Sequence, residues 1–232
     1  MISGASRGIG KEIALRALKL GHNISLGVRN PKDLEGTDLD PKKSGQERIM
    51  INEYEATDNK TTKEWVERTI SKFNTFDSLI HCAGIFKKTE LLFRDGEEAD
   101  IKELLNVNLL GPWILTRECW EILKSSGSGR IVFMVSMSGK RSKGNLAGYS
   151  SSKFALMSLC QTIRNEGWGH GIKVTAICPS WVNTDMAAGV KSISKDNMTQ
   201  PGDIASLTFN LLDMPDSCVP FELLINCNLE NR

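Results

Sequence analysis

Short apolar segments alternate along the whole chain with longer segments whose apolar residues recur at helical spacing. This alternation predicts parallel strands joined by helices, and hence a sheet that helices cover on both faces. Helices are predicted at 9–20, 60–73, 97–125 (with a bend near Gly111-Pro112), 149–168 and from 201 onwards. Strands are predicted at 23–28, 48–54, 77–81, 131–135, 172–177 and 221–225, after a first strand that leads into Ser3.

A glycine-rich segment, Ser3-Gly4-Ala5-Ser6-Arg7-Gly8-Ile9-Gly10, joins the first strand to the first helix. Unpaired amides and the positive end of the helix dipole make this place favourable for a pyrophosphate. Glycines there let the backbone approach the ligand and the helix pack close to the sheet. The alternative is a tight turn without a ligand. Only Met1 and Ile2 precede the segment, so the first strand is expected to be short or to begin upstream of Met1.

Tyr149 and Lys153 occupy positions i and i+4 of a predicted helix, which places them on one face. Ser136 stands earlier in the chain, directly after the apolar run 131–135. A phenol, an ammonium group and a hydroxyl brought to one site suit proton transfer to or from a carbonyl oxygen. Taken singly, the tyrosine and lysine are also common on exposed helix faces, and Ser136 is also compatible with a simple strand-end hydroxyl.

Together these motifs resemble the classical short-chain dehydrogenases/reductases over essentially the whole chain. The resemblance implies a single Rossmann-type domain over 1–232, a doubly wound sheet of about seven parallel strands with helices on both faces. It implies a catalytic set of Asn108, Ser136, Tyr149 and Lys153. It implies cofactor contacts from Gly4, Ser6, Arg7, Gly8, Ile9, Gly10, Arg29, Ala56, Ala83, Gly84, Tyr149, Lys153, Pro179, Val182 and Thr184.

The resemblance also implies a role for each catalytic residue. Tyr149 is expected to act as general acid/base, and the nearby charge of Lys153 to favour its ionised form. Lys153 is further expected to hold the nicotinamide ribose, and Ser136 to hydrogen-bond the substrate oxygen. Asn108 is expected to hold a water that connects Lys153 to solvent. The alternative is that its polar side chain supplies hydrogen bonds where the helix bends.

Cofactor choice depends on the residues after the second strand, where an acidic side chain would bind the adenosine ribose hydroxyls and repel a 2′-phosphate. This chain has Val28-Arg29-Asn30 there, and Arg7 in the glycine loop. A guanidinium group pairs well with phosphate, so NADP(H) is predicted and NAD(H) is less favoured. The alternative is that both arginines are ordinary surface charges.

The composition of the chain argues against several other classes of function. A net charge of +1 gives no electrostatic reason to expect nucleic acid or an anionic membrane as partner. The sequence contains no apolar span of membrane-crossing length. Its six scattered cysteines form no Cys-x-x-Cys pair, so no metal site is expected and the cytoplasm is the predicted location.

Three departures from the family pattern bear on the site. His81-Cys82 replaces the usual Asn-Asn before Ala83-Gly84, and His81 is expected to be structural rather than catalytic. Ser180 stands where glycine usually follows Pro179 and is expected to narrow or redirect the nicotinamide pocket. The basic stretch 140–143 is expected to be a solvated loop.

Two functions from different classes remain open at this point. The first is an NADP(H)-dependent oxidoreductase that interconverts a carbonyl and an alcohol in a small-molecule substrate. The second is a catalytically idle NADP(H)-binding regulatory protein, which would be free to lose the catalytic set that this chain keeps. Apolar residues on more than one face of the helices at 97–125 and 149–168 favour burial against another subunit, and a homodimer or homotetramer is expected.

Overall fold

The computed structural model describes residues 1–44 and 47–227. Residues 45–46 and 228–232, which belong to the predicted single domain, lie outside the described part. The described residues form one sheet of seven parallel strands in the order β3-β2-β1-β4-β5-β6-β7. The strands are Ile2–Ser3 (β1), Ile24–Val28 (β2), Ile49–Glu53 (β3), Ser78–His81 (β4), Arg130–Met134 (β5), Lys173–Pro179 (β6) and Glu222–Ile225 (β7).

Helices connect these strands, as the alternating pattern predicts. Short 3₁₀ turns occur between several elements, the first at Pro31–Leu34. The α-helices are Gly8–Lys19 (α1), Pro41–Ser44 (α2), Asn59–Phe73 (α3), Glu98–Leu105 (α4), Gly111–Ser125 (α5), Ala147–Gly167 (α6) and Pro201–Leu212 (α7).

Each face of the sheet has its own buried core. Successive residues of a strand point to opposite faces, so Leu79 and Ile80 of β4 belong to different cores. Helices α1 and α7 cover one face. Helices α3, α5 and α6 cover the other, where Trp65 is fully buried. The predicted doubly wound sheet with helices on both faces is therefore confirmed.

The order of the strands in the sheet indicates where a ligand can bind. The chain leaves β1 toward β2 and β3 on one side, and returns to β4 on the other. Ligands of open parallel sheets bind in the crevice outside the carboxyl ends of the strands at such a reversal. The glycine loop after β1 and the Ala83-Gly84 segment after β4 meet there, since Gly4 lies against the backbone of Ala83.

The predicted long helix at 97–125 is divided by a π-helical turn at Asn106–Leu110, between α4 and α5. Pro112 has no N–H, so the carbonyl of Asn108, four residues earlier, loses its usual helical donor. The helix, which was expected to be interrupted or bent near Gly111-Pro112, is thus interrupted by this turn at Asn106–Leu110. Asn108, within the turn, forms hydrogen bonds with Ile85, which follows β4.

The first strand has two residues in the sheet, Ile2 and Ser3, which pair with β2 and β4. In the described part of the chain, no helix is both long and apolar enough to cross a membrane.

Candidate active site

The glycine loop forms a close-fitting cradle at the start of α1. Gly4 has a positive φ of 69°, and a Cβ atom there would lie 2.7 Å from the Cα atom of Ala83. A Cβ atom on Gly10 would overlap the carbonyl of Gly4. Both positions therefore require glycine, Gly4 for its conformation and Gly10 for the close approach of helix and loop. The amides at the start of α1 face the groove beside this loop.

A long groove runs from this cradle along the carboxyl edge of the sheet. Residues from the ends of β1, β2, β3 and β4 line it together with the segment after β6. The predicted cofactor residues in its lining are Gly4, Ser6, Arg7, Gly8, Ile9, Gly10, Arg29, Ala56, Ala83, Gly84 and Thr184.

A second cavity opens from one end of the groove and contains the predicted chemistry. Ile9, Gly84 and Thr184 line both spaces, so the two are continuous. The predicted residues found in the cavity lining are Ser136, Tyr149, Lys153, Pro179 and Val182. The structure thus brings the residues predicted from widely separated motifs to one crevice.

Tyr149 lies near the start of α6 with 7 % of its surface exposed. Its phenol ring packs edge-on against Phe86, with ring centroids 5.0 Å apart. Burial raises the pKa of Tyr149, and a hydrogen bond with Ser136 partly offsets this. The pKa of Tyr149 is thus raised, whereas the nearby charge of Lys153 was expected to favour the ionised form. The phenol is protonated at neutral pH, which is the form that donates a proton.

Lys153 lies one helical turn after Tyr149 and is 5 % exposed. Its Nζ atom donates a hydrogen bond to the carbonyl of Met134, 3.0 Å away, at the end of β5. The same atom is 5.9 Å from the centroid of the Tyr149 ring. Burial lowers the pKa of Lys153 to about 8, although the Cys160, Cys178 and Cys82 thiolates would raise it.

The three thiols have little effect on the pKa of the Lys153 ammonium group. Burial raises the pKa of Cys82 to about 12 and that of Cys178 to about 11. Burial also raises the pKa of Cys160. All three are therefore neutral near pH 8, where Lys153 changes its charge, so burial dominates its behaviour.

Asn108 lies behind the cavity, and its side chain is fully engaged. Its Oδ1 atom accepts from the amide of Ile85 at 2.9 Å, and its Nδ2 atom donates to the Ile85 carbonyl at 3.0 Å. Nδ2 also donates to Ser152 Oγ at 3.1 Å. The side chain thus fixes the segment after β4, and the water expected at Asn108 stays a prediction.

His81 is structural, as the sequence predicts. Its ring is buried, stacks on Phe133 at 4.4 Å and places Nε2 3.0 Å from Thr116 Oγ1. Burial, with a smaller effect of the Met1 ammonium, lowers the pKa of His81 to about 3. A neutral ring in that place does not face the cavity. The amides of Cys82 and Ala83 instead donate to Ser3 Oγ, which supplies the polar tie between β1 and β4.

Ser180 belongs to the cavity lining. Its Oγ atom is 3.8 Å from Cys227 Sγ. The expected narrowing or redirection of the nicotinamide pocket by Ser180 stays a prediction.

Arg7 and Arg29 both line the groove at the carboxyl end of β2. Arg7 is 3.7 Å from Asp185, with both side chains mostly exposed, and such surface pairs contribute little. No carboxylate occupies the position directly after β2, because Arg29 and Asn30 follow Val28, the last residue of that strand. Asn30 uses its side chain to cap the next turn, accepting from the Lys32 amide at 3.2 Å.

The basic stretch 140–143 is an exposed loop, as the sequence predicts, but it also makes contacts that the sequence does not predict. Lys140 pairs with Glu222 at 2.9 Å. Arg141 and Lys143 line the same cavity as Tyr149. Sequence reasoning missed these two residues, and also Phe86 and the Met134 carbonyl, because loop packing places them. Their nearness in sequence to Ser136 and Tyr149 was the one available signal.

Comparison with known proteins gives a consistent result. Residues 1–194 match the family model described as short chain dehydrogenase. An agropine synthesis reductase from Rhizobium rhizogenes is 37 % identical over 93 % of this chain and 49 % of its own length. The chain thus spans about half the length of that relative. A 3-oxoacyl-[acyl-carrier-protein] reductase from Staphylococcus epidermidis is 28 % identical over 86 % of this chain and 81 % of its own length.

Among solved structures, an alcohol dehydrogenase from the archaeon Thermococcus sibiricus, complexed with 5-hydroxy-NADP, has a TM-score of 0.86. It is 26 % identical, and the match covers 100 % of this chain and 96 % of that one. These relatives carry the names of enzymes, which does not favour an idle binding protein.

Proposed function

The chain belongs to the short-chain dehydrogenase family of oxidoreductases, and from that premise we propose that it is an NADP(H)-dependent reductase of a carbonyl group. The observation that carries this proposal is the continuity between the glycine cradle and the cavity of Ser136, Tyr149 and Lys153. A screen of carbonyl compounds that follows NADPH absorbance tests it. Oxidation of NADPH that depends on a carbonyl compound supports the proposal.

The residues present fit a nicotinamide dinucleotide. The cradle at Gly4 and Gly10 leaves no space for a side chain, which is what the close approach of a pyrophosphate to the backbone requires. Gly8 and the first amides of α1 would hold the pyrophosphate, Ala56 would lie at the adenine, and Lys153 would hold the nicotinamide ribose. Pro179, Val182 and Thr184 would bound the nicotinamide. NADP(H), when bound, supplies or accepts the hydride.

Tyr149 serves as the proton donor in the reduction direction. A carbonyl oxygen that gains negative charge needs a proton from a positioned acid, which contributes typically 10²- to 10⁴-fold to the rate. The raised pKa of Tyr149 keeps that proton in place at neutral pH. Ser136, which hydrogen-bonds to the same phenol, orients the substrate oxygen toward it.

Lys153 stabilises the phenolate after the proton has left. Its Nζ atom donates a hydrogen bond to the carbonyl of Met134 at the end of β5, which fixes the position of the ammonium group. A water on the main-chain carbonyl of Asn108 would pass a proton from solvent toward Lys153. The Asn108 side chain positions this carbonyl by its three hydrogen bonds to Ile85 and Ser152.

The preference for NADP(H) rests on Arg29 and Arg7, which both line the groove. We expect Arg29→Ala to weaken NADPH binding roughly ten- to a hundredfold, because a charge-assisted contact to the 2′-phosphate contributes about 1.5–3 kcal/mol. NADH, which lacks that phosphate, should bind almost unchanged. The measurement is the pair of dissociation constants for the two cofactors, taken at low and moderate salt.

Arg68 on α3 gives a matched control, since it is exposed and lies outside the groove lining. Arg68→Ala should leave both dissociation constants unchanged. Equal losses for NADPH and NADH in Arg29→Ala would show that the arginine supports the loop rather than the phosphate, and would contradict the NADP(H) preference.

Assembly as a homodimer or homotetramer is part of the proposal. Helices α5 and α6 and the π-helical turn expose large apolar side chains: Trp113 by 52 %, Leu110 by 46 % and Phe154 by 44 %. Such residues grouped on neighbouring helices favour burial against a second copy. Light scattering at micromolar concentration should give the mass of a dimer or a tetramer, and a monomer mass would contradict this. The cytoplasmic location stays a prediction from the sequence.

A further inference from the structure

Phe86 contacts Tyr149 directly, although the proposed mechanism gives Phe86 no role. The centroids of the two rings are 5.0 Å apart and their planes are 77° apart, which is the edge-to-face arrangement that aromatic rings prefer. Phe86 lines both the dinucleotide groove and the cavity of Tyr149. Its ring therefore stands where the two spaces meet, beside the group that donates the proton.

The chain on either side of Phe86 is held by other elements of the fold. The Asn108 side chain binds both the amide and the carbonyl of Ile85, at 2.9 and 3.0 Å. Lys87 forms ion pairs with two carboxylates of α4. The residues before and after Phe86 are thus tied to the π-helical turn and to α4, and neither tie uses the Phe86 ring.

Thr89 ties the same segment to the start of α6. The residue is buried, and its Oγ1 atom accepts a hydrogen bond from the amide of Gly148 at 2.7 Å. Its carbonyl accepts from the amide of Ala147 at 3.1 Å. Gly148 directly precedes Tyr149 in the chain. The segment that carries Phe86 and the helical turn that carries Tyr149 are therefore joined by hydrogen bonds, which hold the two rings against each other.

Contact with Phe86 restrains the Tyr149 ring, whereas the hydrogen bond with Ser136 restrains the hydroxyl group. A tyrosine ring is joined to the backbone through two rotatable bonds, so a small rotation moves the hydroxyl, its most distant atom. The rate of a positioned reaction is sensitive to such movement, because a misplacement of about 1 Å can cost on the order of a hundredfold.

We infer that Phe86 is a positioning residue for the reduction, whose ring holds the Tyr149 phenol in the orientation from which the proton is donated. This inference rests on the proposed function. It also gives the Asn108 side chain an effect on Tyr149, because Asn108 fixes Ile85, the neighbour of Phe86 in the chain.

Variants of Phe86 test the inference with NADPH and a substrate found in the carbonyl screen. Phe86→Leu removes the ring and keeps an apolar side chain, and Phe86→Tyr keeps the ring. Phe93→Leu is the matched control, because Phe93 lies between β4 and α4 as well, is exposed and is absent from the described linings of the groove and the cavity. A double variant that combines Phe86→Leu with Tyr149→Phe shows whether Phe86 acts through the tyrosine hydroxyl. Phe86→Met replaces Phe86→Leu if the latter does not fold.

Phe86→Leu should lower kcat about tenfold or more, because the phenol is then less often in the reactive orientation. The KM for the ketone and the dissociation constant of NADPH should change little. Phe86→Tyr should keep most of the wild-type kcat, and Phe93→Leu should keep all of it. In the Tyr149→Phe background, Phe86→Leu should have almost no further effect on kcat, since the hydroxyl that Phe86 positions is gone.

Three results overturn the inference and leave the proposed function intact. The first is a Phe86→Leu variant with the kcat of the wild type. The second is a loss confined to KM or to NADPH binding, since the ring would then only bound the pocket. The third is an equal loss of kcat with and without the Tyr149 hydroxyl, since the ring would then act on another group. If protein that binds NADPH reduced no compound of the carbonyl screen, the proposed function and this inference would both fall.

Discussion

Replacing Tyr149 with phenylalanine should lower turnover at least about a hundredfold, the scale of proton transfer by a positioned acid. The substitution removes one oxygen and keeps the ring that packs against Phe86 at 5.0 Å. The fold and the dinucleotide groove should therefore be preserved. The measurements are kcat on a substrate found in the carbonyl screen and the dissociation constant of NADPH.

The two measurements separate the chemical role of Tyr149 from a structural one. An unchanged NADPH dissociation constant with a large loss of kcat is the expected result. Turnover near that of the wild type would mean that another group donates the proton. A parallel loss of NADPH binding would indicate that the hydroxyl supports the pocket, since its hydrogen bond to Ser136 would then be structural.

Replacing Lys153 with methionine, a side chain of similar length without charge, should also lower turnover at least about a hundredfold, because the phenolate of Tyr149 loses its nearby cation. NADPH binding should weaken as well, since the same ammonium group would hold the nicotinamide ribose. Both effects are measured as for Tyr149, and an unaffected kcat would contradict the assignment of Lys153.

The same variant should change how stability depends on pH. Burial lowers the pKa of Lys153 from 10.5 to about 8 in the folded protein. Between these values the unfolded chain binds the proton and the folded chain does not, so the wild type gains stability as pH rises through this window. The gain has a scale of about 3 kcal/mol. Lys153→Met should lack it.

Denaturant unfolding of both proteins at several pH values from 7 to 10.5 measures this difference. Cysteines and other titrating groups are common to both proteins and largely cancel in the comparison. The stability of Lys153→Met relative to the wild type should fall as pH rises. A difference that does not change with pH would show that Lys153 titrates as it does in the unfolded chain.

Much of the fold could be predicted because strands that are buried on both faces are continuously apolar. Leu79-Ile80 and Ile131-Val132-Phe133 illustrate this, since alternate residues enter different cores. Element ends were less well predicted, because caps and turns set them. The π-helical turn at Asn106–Leu110 had no signal in the sequence beyond Gly111-Pro112.

In the candidate site, too, some features could be predicted from the sequence and others could not. Tyr149, Lys153 and Ser136 were predictable because a helix face and a strand end bring them together at fixed spacing. The three hydrogen bonds of the Asn108 side chain were not, because Ile85 and Ser152 meet it only in the folded chain. Lys143 is exposed, as predicted, but no sequence pattern indicates that its Nζ atom lies 5.9 Å from the centroid of the Trp181 ring.

The most direct test of the account is whether this protein transfers hydride from NADPH to a carbonyl carbon. NADPH deuterated at its transferable position is incubated with the protein and with the best ketone of the screen, and the alcohol is examined by mass spectrometry. The account predicts one deuterium on the former carbonyl carbon for each NADPH consumed, and a severe loss of this product with Tyr149→Phe. Tight NADPH binding without deuterium in any alcohol product would contradict it, and would instead identify a dinucleotide-binding protein that carries out no reduction.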